Sequence, residues 1–154
     1  MPILGFPIGA PLDGLPPPPL TPAQIEVFGV DLLFNGDLVV TPKGDYAEVA
    51  GEENLRRAII RRLITRPGEY RRNPSYGCGL LSYVKKKMTQ SALAELEQRI
   101  RDNLSRERRL DKIISLTLTP TTYDSNQPAL QVSITVQSKG RTVQFRPMTF
   151  TRQL

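Results

Sequence analysis

Histidine and tryptophan are absent from these 154 residues, and cysteine occurs once. Without histidine the commonest general base and metal ligand is missing. A single cysteine, Cys78, excludes a disulfide framework and a thiolate zinc site within one chain. It also lacks the histidine that would activate it as a nucleophile, so a buried structural role is expected. No run of about 18 apolar residues occurs, so no membrane span is expected. Met1 to Ala10 has no positive segment of the kind that opens a signal peptide. No glycine-rich phosphate loop followed by Lys-Ser/Thr is found. Glu69 and Glu107 are the only carboxylates that invite an acid–base reading. Both lie beside arginine, which lowers a carboxylate pKa where a general acid needs it raised. The sequence therefore predicts no catalytic residue, no metal site and no cofactor.

What is present is proline, apolar periodicity and positive charge. The formal net charge is +6, which raises the question of nucleic acid. The basic clusters are spread over several elements and alternate with acids, with no known reader motif around them. They read as solvated faces or ion-pair partners for other proteins, and no nucleic-acid partner is expected. Prolines crowd the first two dozen residues, with Pro16 to Pro19 as a polyproline II stretch. Interleaved apolar residues favour an arm that orders on a partner over a solvated leader. Residues 1–26 are thus assigned to a proline-rich extended arm, 27–146 to a folded domain and 147–154 to a C-terminal tail; "RTVQFRPMTFTRQL" could extend the sheet, with Pro147 limiting pairing to one side.

Within the domain, "VDLLFNGDLVV" predicts a hairpin turning at Asn35-Gly36, since both residues tolerate positive φ. "PKGD" predicts a second turn leading to a short strand near Tyr46 to Val49. A first helix is expected from Glu52 to Thr65, with Leu55, Ala58, Ile59 and Leu63 as its stripe. Arg56 and Arg62 fall within or beside the apolar arc and must snorkel or pair with a carboxylate. Pro67-Gly68 ends this helix. Pro74, Tyr76, Gly77 and Gly79 predict a tight turn, with Tyr76 packed as an anchor and hydrogen-bonded through its hydroxyl. A short helix is expected over Leu80 to Lys87. A longer one runs from an N-cap at Thr89 to about Arg106, with Glu95-Arg99 and Glu97-Arg101 as i,i+4 pairs. The period then switches to two. Ile114, Leu116 and Leu118, then Leu130, Val132, Ile134 and Val136, then Val143 and Phe145 predict an antiparallel meander covered on one face by helices. The fold class is α+β: an N-terminal hairpin plus a C-terminal meander, packed with about three helices.

Three segments carry a family resemblance. They are "GDYAEVAGEENLRRAIIRRLITRPGEY", "NPSYGCGL" and "ERRLDKI", in that order. The chain resembles the baseplate wedge and sheath-initiator proteins of contractile phage tails, which have relatives in type VI secretion baseplates. "ERRLDKI" is similar to the family's Glu-Pro-Arg motif, with Glu107 and Arg109 matching and Arg108 in place of the proline. The resemblance covers about Phe28 to Phe145. It implies a structural, non-enzymatic role in the tail baseplate of a virion assembled in a bacterial cytoplasm. It implies six copies around the tube, docking on the helical bundle of the wedge subunits. The docking surface would be Arg71, Arg72, Glu107, Arg108 and Arg109. Sheath strands would extend the sheet that carries Val132, Ile134, Val136, Val143 and Phe145, and the arm would reach tube or hub proteins. The alternative is a small regulatory protein-binding module, similar to a bacterial anti-adaptor of like fold.

Overall fold

A computed structural model of the protein describes residues 22–34, 37–123 and 126–151. The chain divides into two units, Met1–Leu55 and Arg56–Leu154.

In the first unit, helix α1 (Pro22–Phe28) opens with proline, whose missing N–H costs nothing in a first turn. Residues 22–26, assigned from sequence to the arm, are therefore helical. The rest of the arm, residues 1–21, lies outside the described residues. Strand β1 (Val30–Leu32) pairs antiparallel with β2 (Glu48–Ala50), Val30 opposite Ala50 and Leu32 opposite Glu48. Single bridges join Phe34 to Leu38 and Val40 to Tyr46. They flank the two expected turns, although Asn35-Gly36 itself lies outside the described residues. Helix α2 (Gly51–Ile64) follows β2 directly. Its buried Asn54 donates from Nδ2 to the carbonyls of Phe28 and Gly29, both at 3.0 Å, which pins the end of α1.

The second unit holds most of α2, then α3 (Leu80–Val84) and α4 (Gln90–Leu104). Thr89 caps α4 as expected, its side chain accepting from the Ala92 N–H at 3.2 Å. The expected ion pairs form, Arg99 to Glu95 at 3.2 Å and Arg101 to Glu97 at 2.8 Å. α3 is three residues shorter than the period suggests, because the chain leaves the helix at Lys85 and turns to reach the Thr89 cap.

A four-stranded antiparallel sheet completes this unit: β3 (Lys112–Tyr123), β4 (Gln127–Ser138), β5 (Arg141–Gln144) and β6 (Met148–Thr151). A two-residue turn, Lys139-Gly140, joins β4 to β5 with positive φ at both positions, 46° and 77°. Alternation along β4 buries Leu130, Val132, Ile134 and Val136 on the face that α3 covers. The α+β class holds, with α1 as a further helix beyond the three expected.

Two features of the sheet correct the sequence reading. A bulge between Ile113 and Ser115 leaves Ile114 unpaired and 48% exposed. The inward residues of β3 are thus Ile113, Leu116 and Leu118, because one extra residue reverses the alternation. The sheet is also not a simple meander. β5 and β6 both pair with β4, at Thr135–Ser138 and at Ala129–Val132. They are halves of one edge: the Phe145 N–H still donates to the Ile134 carbonyl at 3.1 Å, and the edge breaks at residues 146–147, where Pro147 has no N–H to offer. Met148–Thr151, assigned from sequence to the tail, are therefore part of the sheet.

Candidate functional site: a carboxylate held between two arginines

The site grows from the C-terminal end of α2. The last carbonyls of a helix lack intrahelical partners. Here the Cys78 N–H donates to the Arg62 carbonyl at 2.9 Å and the Gly79 N–H to the Thr65 carbonyl at 2.8 Å. The turn closes with the Gly68 N–H on the Pro74 carbonyl at 2.8 Å. Gly77 has φ 101°, and a Cβ there would stand 2.3 Å from the Thr65 oxygen. Only glycine fits at that approach. The Gly77 N–H donates to the buried Oδ1 of Asn103 at 2.9 Å, and Asn103 Nδ2 donates to the Arg99 carbonyl at 3.3 Å. Asn103 thus ties the turn to α4.

Tyr76 follows the same turn. Arg62 lies over its ring, Cζ 4.6 Å from the centroid, and Tyr70 meets it edge-on at 5.9 Å. Tyr76 is an anchor through its ring. Among the described residues its hydroxyl has no hydrogen-bond partner, contrary to expectation.

Arg62 reaches past Tyr76 to Glu107. Its Nε donates to Oε2 at 3.2 Å, while Arg109 Nε donates to Oε1 at 2.8 Å. The side chains of Glu107 and Arg62 are 10% and 13% exposed, that of Arg109 27%. Burial pushes the Glu107 carboxyl up. The hydrogen bond and charge of Arg109, together with those of Arg62, outweigh it and hold the group below its ordinary range. The backbone is fixed too: Ser138 Oγ donates to the Arg109 carbonyl, and the Asp111 N–H donates to Gln137 at 2.8 Å. The carboxylate therefore joins helix α2 to the turn after α4, and hydrogen bonds at the backbone tie that turn to the end of β4.

The residues singled out from sequence separate into two groups. Pro67, Gly68, Pro74, Tyr76, Gly77 and Gly79 build the turn, and Glu107 with Arg109 sits in the pair network. Arg71, Arg72 and Arg108 are exposed, and no described ion pair ties them to Glu107. Arg62 and Asn103 complete the network. Arg62 falls in the apolar arc of α2, where an arginine needs a partner. Asn103 falls in phase with Leu96 and Ile100, so a buried polar residue was legible there, though not its partner. Cys78 is fully buried beneath this turn, and burial outweighs Arg99 and Arg62 to push its thiol up to about 12. Such a thiol does not ionise near neutral pH, as a structural role requires. No group of three or more His, Cys, Asp or Glu able to hold a metal occurs among the described residues.

The family model of the contractile injection system sheath initiator matches residues 30–141. The chain belongs to that family. The matched span contains every residue of the sheath-initiator chain's pair network and turn. A solved structure, the six-fold symmetrised baseplate of the anti-feeding prophage, contains a chain of similar fold. The TM-score is 0.60 at 23% identity, over 74% of the sheath-initiator chain and 88% of the other. No curated protein matches the sequence. Among the described residues, no helix is long and apolar enough to cross a membrane.

Proposed function

We propose that the protein is a structural component of a contractile-tail baseplate, without enzymatic activity, that docks on the wedge and offers sheet edges to the first sheath strands. The observation that carries this reading is the pairing of the sheet. β4 is bonded on both sides, so on this reading an added strand lies along the outer edges of the sheet that carries Val132, Ile134 and Val136. The outer edges of β3 and of β5 with β6 pair with no described strand. Both edges are interrupted, β3 by the Ile114 bulge and Pro120, the other by Pro147. Such devices deter indiscriminate edge pairing and leave short stretches for a designated strand. Ser115–Thr119, and Val143 with its β5 neighbours, are the candidate stretches. Phe145 lies just before the break and is buried.

Wedge docking falls on the arginine surface. Glu107 is committed to Arg62 and Arg109 inside the chain. It positions Arg109, and the contacts to a partner's helices come from Arg109 with the exposed Arg71, Arg72 and Arg108. A guanidinium suits such contacts, since its planar fork pairs with carboxylates or with carbonyls at helix ends. Six copies per baseplate and an arm directed to tube or hub proteins complete the proposal.

Cryo-electron microscopy of assembled tails tests it. The expected result is this chain in six copies where baseplate meets sheath, with a foreign strand beside β3 or β5. A stable monomer bound to a soluble factor, with no density in the tail, would replace this reading with the regulatory one.

A further inference from the structure

The loop from Arg66 to Ser75 consists of ten consecutive exposed residues, yet its backbone is closely held. The Gly68 N–H donates to the Pro74 carbonyl at 2.8 Å, and the Glu69 N–H to that of Arg66 at 3.0 Å. The Asn73 N–H donates to the Tyr70 carbonyl at 3.0 Å, and the Tyr76 N–H to that of Asn73 at 2.9 Å. Ser75 Oγ adds a bond to Asn73 Oδ1 at 2.9 Å. Compact surface loops bonded to themselves in this way are frequently functional. A loop already fixed also gives up little freedom when a partner docks on it.

Tyr70 stands in the middle of this loop and is 49% exposed. Its ring meets Tyr76 edge-on at 5.9 Å, Tyr76 lies under Arg62, and Arg62 donates to Glu107. The pair network of the site thus braces an aromatic ring that half remains in solvent. The charge of the loop is one-sided. Arg66, Arg71 and Arg72 are exposed, and no ion pair among the described residues engages them. The loop's carboxylate, Glu69, accepts the Arg66 N–H on Oε2 at 2.9 Å and so serves the loop's own backbone. Three guanidiniums in the same loop as one exposed ring call for carboxylates beside an apolar surface. Tyrosine and arginine are also the side chains in which interface binding energy concentrates.

We infer that Tyr70 is the anchor of wedge docking. Its ring enters an apolar recess of the partner, and carboxylates at the rim of that recess pair with Arg66, Arg71 and Arg72. The inference rests on the wedge-docking reading and adds to it the residue that supplies the affinity and the chemistry of the surface it meets. Single-stranded nucleic acid stacks on successive aromatic rings along a basic groove. Here one exposed ring sits on one loop, which favours an acidic protein surface.

The test is biolayer interferometry of the full chain on baseplate wedges purified from cells that lack it. Tyr70→Ala should weaken binding by roughly tenfold or more, and Arg71→Glu with Arg72→Glu by at least as much, each at unchanged Tm. Tyr70→Phe, which keeps the ring, should lose less than Tyr70→Ala. Tyr123→Ala, which removes an exposed tyrosine outside the loop, should bind as the wild type does. Wild-type binding that Tyr70→Ala leaves intact overturns the anchor while wedge docking stands. Wild-type affinity in the paired Glu variant overturns the acidic rim. No binding by the wild type overturns wedge docking and the anchor with it. Labelled poly(U) that binds the wild type and is released by Tyr70→Ala would assign the loop to nucleic acid and overturn the inference as well.

Discussion

Replacing Glu107 by alanine removes the carboxylate that bridges Arg62 and Arg109. Arg62 cannot easily turn to water, because its side chain is 13% exposed and its guanidinium lies over Tyr76. Breaking a buried pair from one side costs about 3–5 kcal/mol. The partial exposure of Arg109 and the ring contact kept by Arg62 put this case at the low end, about 3 kcal/mol. For a domain of this size that lowers Tm by roughly 10 °C. The loss has a defined pH dependence. The folded carboxyl titrates below its ordinary value of 4.5, so its stabilisation is complete above that value and disappears as pH falls through the folded one. Thermal melts from pH 7 to pH 3 should show the gap between wild type and Glu107→Ala narrowing below about pH 4.5. Equal Tm at pH 7, or a gap that stays constant down to pH 3, would refute the claim that Glu107 locks the fold. Glu107→Gln keeps an acceptor for one arginine and should lose less.

Three further outcomes follow from the same geometry. Gly77→Ala combines a positive φ with a clash against the Thr65 carbonyl and should cost more than about 2 kcal/mol, whereas Gly68→Ala, with open space around it, should cost about 1 kcal/mol; urea unfolding separates them. Asn103→Ala leaves the buried Gly77 N–H without its acceptor and should lower stability by about 1–3 kcal/mol by the same assay. Cys78 should resist a thiol reagent at pH 8 in the native protein and react fully in denaturant; rapid native labelling would contradict its burial.

The sequence carried the elements with strong periodicity and clear punctuation. Thr89 as a cap, the Pro67-Gly68 stop and the alternation along β4 each arise from local chemistry. Arg62 was legible as an arginine that needed a partner, but its partner lies 45 residues away, and period alone cannot bring α2 to the turn after α4. The Ile114 bulge escaped because an apolar residue at the preceding position, Ile113, satisfies either phase. The split edge escaped for a related reason. Val143 and Phe145 continue one alternation, and nothing local says that Met148–Thr151 returns to the same strand. Arg71, Arg72 and Arg108 read alike from sequence and structure, as exposed charge.

The bulge has a consequence for how the chain can vary. A one-residue insertion or deletion normally turns half a strand inside out. Ile114 stands near the start of β3, between the inward Ile113 and Leu116, and is left without a partner in the pairing and 48% exposed. Removing it would let Ile113 run straight into Ser115 while Leu116 kept its place opposite Ile134. The length of the joint between the turn and the sheet can therefore drift by one residue across descendants of this sequence. The positions on either side of it need not drift with it.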